Sequence, residues 1–289
     1  MIPPAFEYLR PNSIPEAIAL LEQHGDDAKI LSGGQSLIPM MKLRLARPAY
    51  LIDINRISGL SFIKEEDGFL KIGGLTREAE LEVSPLIRAK YPIILDTVRV
   101  IADPQVRNLA TVGGNLAHGD PANDHPATML ALDAQVVATG PGGERAIPIG
   151  EFFLSVFSTA LQPGEILTEI RVPVPPTRSG GAYFKLERKV GDFATAAVAA
   201  QVTLDDGGVA QRVGIGLTNV GPKPLAAKKA EDSLRGKKID AASIRQAAQL
   251  AAEEAQPSSD LRGPAEYKRG LVKELATRAL TRALERARK

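Results

Sequence analysis

The sequence predicts an α+β fold of three consecutive units, and three observations carry that prediction. Strand-like and helix-like apolar runs alternate over roughly the first 175 residues. A proline- and glycine-rich stretch, Val174-Pro-Pro-Thr-Arg-Ser-Gly-Gly181, then breaks the chain. Beyond it come three strand-like runs followed only by helices, the order expected when strands and helices segregate into layers. The units run 1–57, 58–175 and 176–289.

In the first unit, residues 5–9 read as a short strand. Ser13-Ile-Pro-Glu16 has the form of a capping box with proline in the first turn. Ile14, Ala17, Ile18 and Leu21 then repeat at helical spacing up to Gly25. A strand over 29–31 leads into the turn Ser32-Gly-Gly-Gln-Ser36. A helix over 37–45 and a strand over 50–54 complete the unit.

In the second unit, Glu65-Glu-Asp-Gly68 separates two strand-like runs, a hairpin signal. Helices are expected over 76–83, 85–90 and 93–101. Pro141-Gly-Gly143 marks another hairpin, and a strand over 166–172 closes at Pro173. In the third unit, strands are expected over 182–188, 195–204 and 209–217. Helices follow over 225–234, 241–254 and from 265 to the end. Leu271, Leu275, Ala279 and Ala283 give the last helix one apolar stripe, and its many Lys and Arg residues read as a solvated face.

Composition excludes several functions. Thirty-six basic against 34 acidic residues give no reason to expect nucleic acid or a membrane surface as partner. No apolar run approaches a membrane span, and the start lacks a secretory signal, which together predict a cytoplasmic location. The absence of cysteine removes disulfides, thiol nucleophiles and cysteine-bound iron–sulfur clusters from this chain. His24, His118 and His125 include no pair at zinc-site spacing, so any redox chemistry here must be carried by an organic cofactor.

The stretch 110–127 is the most unusual, with three glycines, two aspartates, two asparagines and two prolines in eighteen residues. It contains a second Gly-Gly turn, Thr111-Val-Gly-Gly-Asn115. This turn and Ser32-Gly-Gly-Gln-Ser36 can grip one diphosphate from two sides through backbone N–H groups. Ser36, Thr111 and Asn115 would add side-chain bonds. Neither turn fits Gly-x-Gly-x-x-Gly or a P-loop, and either alone reads first as a ligand-free turn.

Other candidates carry two readings each. Asp124 either accepts from a sugar or ribityl hydroxyl or caps the helix that begins at His125. Asp120, before Pro121, reads as a turn former, and His118 and His125 as packing residues. Lys185, beside Glu187, Arg188 and Lys189, belongs to an exposed basic strand or stands near a ring that gains negative charge on reduction. Phe193, after Gly191 and Asp192, is either ordinary core or a stacking partner for a ring.

The segments Ser32–Pro39, Ile101–Arg107, Thr111–Asn115, Gly119–Ala127, Lys185–Ala196, Gly216–Val220 and Arg262–Tyr267 together resemble the FAD-binding medium subunits of molybdenum-containing hydroxylases, the xanthine dehydrogenase family. The resemblance spans the chain. It implies a vanillyl-alcohol-oxidase/PCMH-type FAD-binding fold: two α/β subdomains enclosing FAD, then a C-terminal domain with a three-stranded antiparallel sheet and a helix bundle.

For the site, the resemblance implies that Ser32, Gly33, Gly34, Gln35 and Ser36 hold the FAD diphosphate together with Thr111, Val112, Gly113, Gly114 and Asn115. Ile101 would pack by the flavin, and Asp124 would bind its ribityl or diphosphate side. Ile166 and Leu167 would line the adenine or flavin pocket. Lys185 would stand near the pyrimidine end of the ring, with Asp192 and Phe193 beside it. Gln35 replaces a common histidine of the family, and Phe193 a common tyrosine or tryptophan.

No residue of this chain is assigned to bond-making catalysis or to a metal. An iron–sulfur small subunit and a molybdopterin large subunit would be partners in a dimer of heterotrimers. Electrons would leave to an external acceptor, and any membrane association would be made through the partners.

Overall fold

A computed structural model describes residues 2–289 of the chain. The N-terminal unit runs β1 (Glu7–Leu9), α1 (Ile14–His24), β2 (Ala28–Leu31), α2 (Leu37–Lys42) and β3 (Tyr50–Asp53). Its strands pair in the order β1-β3-β2, all parallel. Ser13 Oγ accepts from the Glu16 amide at the start of α1. Glu16 reaches back to the Asn12 amide, one residue further than a capping box requires. Helix α2 stops three residues before the expected Leu45, because Arg44 turns left-handed (φ 66°) and the Leu45 amide returns to the Met40 carbonyl.

The middle unit opens with the hairpin β4 (Ile63–Glu66) and β5 (Phe69–Gly73). Asp67 and Gly68 both have positive φ, as a tight hairpin turn of matching twist requires. Six short helices follow: α3 (Glu78–Val83), α4 (Pro85–Lys90), α5 (Pro92–Val98), α6 (Pro104–Arg107), α7 (Val112–His118) and α8 (His125–Ala131). Then come β6 (Gln135–Gly140), β7 (Gly143–Pro148), α9 (Ile149–Phe152), the small hairpin β8 (Phe153–Ser155) and β9 (Ser158–Thr159), and β10 (Ile166–Pro173). The sheet order is β4-β5-β10-β6-β7, antiparallel throughout, so the last strand of the unit lies at its centre.

The C-terminal unit contains β11 (Ser179–Leu186), β12 (Ala196–Leu204), β13 (Ala210–Thr218), β14 (Leu225–Ala226), α10 (Lys228–Leu234), α11 (Ala241–Glu254) and α12 (Ala265–Ala287). The three expected strands are joined at the edge of the sheet by β14, where a helix was expected to begin. Leu225 and Ala226 pair antiparallel with Leu217 and Gly216 of β13, which keeps them extended and delays α10 to Lys228.

Both faces of this sheet are covered, which explains why its strands read as continuous apolar runs. Ala196, Val198, Ala200 and Val202 face the core formed with α10, α11 and α12. Tyr183, Ala197 and Ala199 face the core of the middle unit, with Ile93 and Met129. Helix α8 lies directly on β13. A β-carbon added at Gly214 or Gly216 would stand 2.1 and 2.0 Å from the carbonyl oxygens of Ala131 and Ala127.

The basic face of α12 is not wholly solvated. Arg286 makes a forked pair with Asp96 of α5 (2.5 and 3.1 Å) and donates to the Gly181 carbonyl. Lys268 is fully buried and pairs with Asp260 at 2.7 Å.

Candidate functional site

The two Gly-Gly turns, far apart in sequence, meet in space. Turn 32–36 leaves β2 and enters α2, and turn 111–115 opens α7. Ser32 Oγ lies 2.6 Å from Thr111 Oγ1, and Thr111 Oγ1 also accepts from the Gly114 amide as the cap of α7. Gly33 has no room for a side chain, because a β-carbon there would stand 2.5 Å from the Leu109 carbonyl oxygen. Gly113 fits against Gly74 just as closely, 2.5 Å from its oxygen, and their backbones are joined by a hydrogen bond. Val112 points into the core, so only its backbone is available to a ligand.

Three bracing residues were not anticipated. Asn55 Nδ2 donates to the Ser32 carbonyl at 2.8 Å, and Asn55 Oδ1 accepts from Arg77 at 2.6 Å. Arg77 also donates to the Leu109 carbonyl. Asn55 and Arg77 thus tie the two turns together from behind. Gly74 is the third, and the Gly73-Gly74 pair in the sequence is the signal that marks it. Gln35 bonds only the Gly33 carbonyl, and Ser36 makes no cap bond to α2.

Asn115 is exposed to a specific demand. Its Oδ1 is buried without a hydrogen-bond partner, while its backbone carbonyl accepts from Asn123 Nδ2 at 2.8 Å. A buried acceptor left unpaired costs about 1–3 kcal/mol, so this atom calls for a donor such as a ligand hydroxyl.

A buried polar cluster lies beside α8. Asp124 does not cap that helix, since its carboxylate faces the C-terminal sheet instead. It accepts from Tyr183 at 2.5 Å and from Lys185 at 3.0 Å. Lys185 is therefore not on an exposed strand: its ammonium is buried, donates to the Val100 carbonyl at 2.9 Å and lies 3.2 Å from Glu187. Burial pushes the Asp124 carboxyl above the usual carboxylate range, against the opposing pull of Lys185 and Tyr183. Burial and the Asp124 charge push the Tyr183 hydroxyl well up.

The remaining candidates divide. Ile101 is buried within the 100–102 turn, whose Val100 carbonyl holds Lys185. Ile166 and Leu167 are both buried on β10, and the Leu167 carbonyl stands against Gly74 behind the second turn. Phe193 is not core: it is 46% exposed on the β11–β12 connection, beside Asp192. Asp120 forms the expected turn, accepting from the Ala122 amide. His125 is packed away, wholly buried and 2.7 Å from Glu78, while burial lowers the pKa of His118.

The α+β scaffold is that of a cofactor-binding protein, as comparison with known families shows. Residues 4–175 match the FAD binding domain in molybdopterin dehydrogenase, and residues 181–283 match the CO dehydrogenase flavoprotein C-terminal domain. The chain belongs to this family of FAD-binding molybdopterin dehydrogenase subunits, and it is an oxidoreductase component.

Among its relatives is the carbon monoxide dehydrogenase medium chain of Hydrogenophaga pseudoflava, 46% identical, with 99% of each chain covered. Another is the 6-hydroxypseudooxynicotine dehydrogenase complex subunit alpha of Paenarthrobacter nicotinovorans, 40% identical over 100% of this chain and 97% of the relative. A solved structure of the Hydrogenophaga pseudoflava carbon monoxide dehydrogenase superposes with a TM-score of 0.96 at 48% identity, covering 99% of both chains. Among the described residues, no helix is long and apolar enough to cross a membrane.

Proposed function

We propose that this chain is the FAD-carrying medium subunit of a heterotrimeric molybdenum hydroxylase of the carbon monoxide dehydrogenase type. The observation that carries the reading is the end-to-end likeness to a carbon monoxide dehydrogenase medium chain, with no unit of either chain left over. FAD supplies the redox chemistry, taking electrons from iron–sulfur clusters in a small subunit and giving them to an external acceptor. Substrate oxidation belongs to a large subunit with the molybdenum–pterin cofactor, and the complex is a cytoplasmic dimer of heterotrimers.

Within this chain, the residues present fit such a cofactor. The backbone of Ser32–Ser36 and of Thr111–Asn115 holds the diphosphate, and Asn115 Oδ1 receives a hydroxyl donor. Asp124 keeps lone pairs for a ribityl hydroxyl after binding Tyr183 and Lys185. Lys185 places positive charge near the pyrimidine end of the ring, where reduction builds negative charge. Ile101 packs beside the ring, Ile166 and Leu167 back the adenine or flavin pocket, and Asp192 and Phe193 border the flavin.

Purification from the native host tests the reading. Copurification with iron- and molybdenum-bearing subunits, a flavin absorption spectrum and carbon monoxide-dependent dye reduction are expected. A chain that ran alone, or stayed colourless with added FAD, would overturn it. The 40% likeness to a subunit of an enzyme named for an N-heterocyclic substrate supports a second reading, a paralogue of that kind. The same dye assay with an N-heterocycle in place of carbon monoxide separates the two.

A further inference from the structure

The Arg262–Tyr267 segment marks the family resemblance, yet the site described above leaves it unused. It begins on the connection between α11 and α12, which is firmly built. Asp260 and Gly263 exchange backbone hydrogen bonds, Asp260 Oδ1 accepts from the Arg262 amide at 2.8 Å, and Asp260 Oδ2 holds the buried Lys268. From this platform Arg262 reaches across to the β11–β12 connection. Its Nη2 donates to Asp192 Oδ1 at 3.0 Å, and its guanidinium carbon stands 5.9 Å from the centre of the Phe193 ring.

Past Phe193 the chain is tied down, where Asn219 Nδ2 donates to the carbonyl of the buried Ala194 at 2.6 Å, but Val190 to Phe193 have few other holds. Val190 is 93% exposed, and the loop touches the middle unit where Gly191, at φ +86°, passes the Ala102 carbonyl. Asp192 is the knot. Its Oδ1 takes both Arg262 and the Phe193 amide, and its Oδ2 takes Arg188 at 3.1 Å. Arg188 is on the same connection and is itself mostly exposed, so it cannot anchor the loop to the body of the protein. Arg262 can, because its own backbone is fixed by Asp260. Its guanidinium also serves both partners, bonding the carboxylate while standing over the ring.

We propose that Arg262 is a positioning residue that latches the Asp192–Phe193 loop and so fixes where the Phe193 ring stands at the flavin. The second half of this statement rests on the flavin assignment made above; the latch itself does not.

The chain contains no tryptophan, so Phe193→Trp in the full-length protein gives a single indole reporter on the loop. Acrylamide quenching is measured in that background without FAD, then indole quenching on titration with FAD. Adding Arg262→Ala is expected to raise the acrylamide quenching constant about two-fold or more, the signature of a locally opened loop. Asp192→Asn, which keeps the shape and removes the ion pair, is expected to do the same. Arg262→Lys should fall between, since it restores charge without the planar face.

With FAD bound, the unlatched variants should show weaker quenching of the indole by the flavin. Equal acrylamide quenching in the parent and the Asp192→Asn and Arg262→Lys variants overturns the latch, even if Arg262→Ala fails to fold. A parent that takes up no FAD even when assembled with its iron–sulfur and molybdenum subunits overturns the flavin assignment instead, while the acrylamide comparison still decides the latch.

Discussion

The hydroxyl of Ser32 lies 2.6 Å from that of Thr111, joining two turns 79 residues apart. The same threonine oxygen accepts from the Gly114 amide and caps α7. One atom therefore serves the local helix and the long-range clamp. Thr111→Val keeps the shape and removes both bonds, and should cost about 1–2 kcal/mol of stability. It should also weaken FAD binding, whereas Thr111→Ser keeps the oxygen and should remain near the parent. Thermal denaturation with a parallel FAD titration checks both.

Gly33 and Gly114 should separate packing from ligand access. A methyl at Gly33 meets backbone, the Leu109 oxygen at 2.5 Å and the Ala110 Cα at 2.8 Å, and neither can turn away. Gly33→Ala should destabilise by about 1–3 kcal/mol, the usual cost of overpacking, and lose FAD as the turns part. At Gly114 the nearest atoms are the hydroxyls of Thr111 (2.7 Å) and Ser32 (3.6 Å), which are side chains. Gly114→Val pushes on the Thr111 oxygen that caps α7 and should abolish FAD retention. A Gly114→Val protein with normal flavin content would refute the diphosphate assignment.

These segments were legible in the sequence because a Gly-Gly pair next to a helix start marks its own backbone. Asp124 was not legible in the same way. A carboxylate just before a helix reads locally as a cap, and its actual partners, Tyr183 and Lys185, lie 59 and 61 residues away. Lys185 amid Glu187, Arg188 and Lys189 reads as exposed for the same reason. What buries it is the packing of the middle unit on the far face of the C-terminal sheet, which no local pattern records. Asn55 and Arg77 act only through the carbonyls of Ser32 and Leu109, contacts equally invisible in a linear reading.

Helix α8 carries Asp124 at its start, and its distance from β13 is set by Gly214 and Gly216. A β-carbon at Gly216 would meet the Ala127 oxygen at 2.0 Å and its carbonyl carbon at 2.7 Å. Gly216→Ala must lift the first turn of α8 away from the sheet, and with it Asp124 away from Lys185 on β11. The expected outcome is a lower melting temperature together with weaker FAD binding. Leu217→Ala on the same strand is the control: it truncates a side chain in the helix-facing core, typically costing about 2–5 kcal/mol, and leaves α8 in place. If Gly216→Ala lost stability but bound FAD as tightly as the parent, the route from β13 through α8 to Asp124 would be wrong.

Asp192 gives the loop its pH limit. Burial raises its carboxyl, but bonds from Arg262, Arg188 and the Phe193 amide outweigh burial and hold the pKa at about 2. An aspartate in the unfolded chain titrates near about 3.9. The folded pKa is the lower one, so the folded state favours the ionised form and binds fewer protons than the unfolded chain. The stabilisation is therefore fully present above the unfolded value and is lost as pH falls through the folded one. Both arginines remain charged throughout, so nothing on their side titrates in that window. The melting temperature of the parent should exceed that of Asp192→Asn by a constant amount from about pH 5 to about pH 8. The difference should shrink below about pH 4, be mostly lost by about pH 2, and disappear only below that folded pKa. A difference that instead changed around neutral pH would mean that a group other than this carboxylate governs the loop.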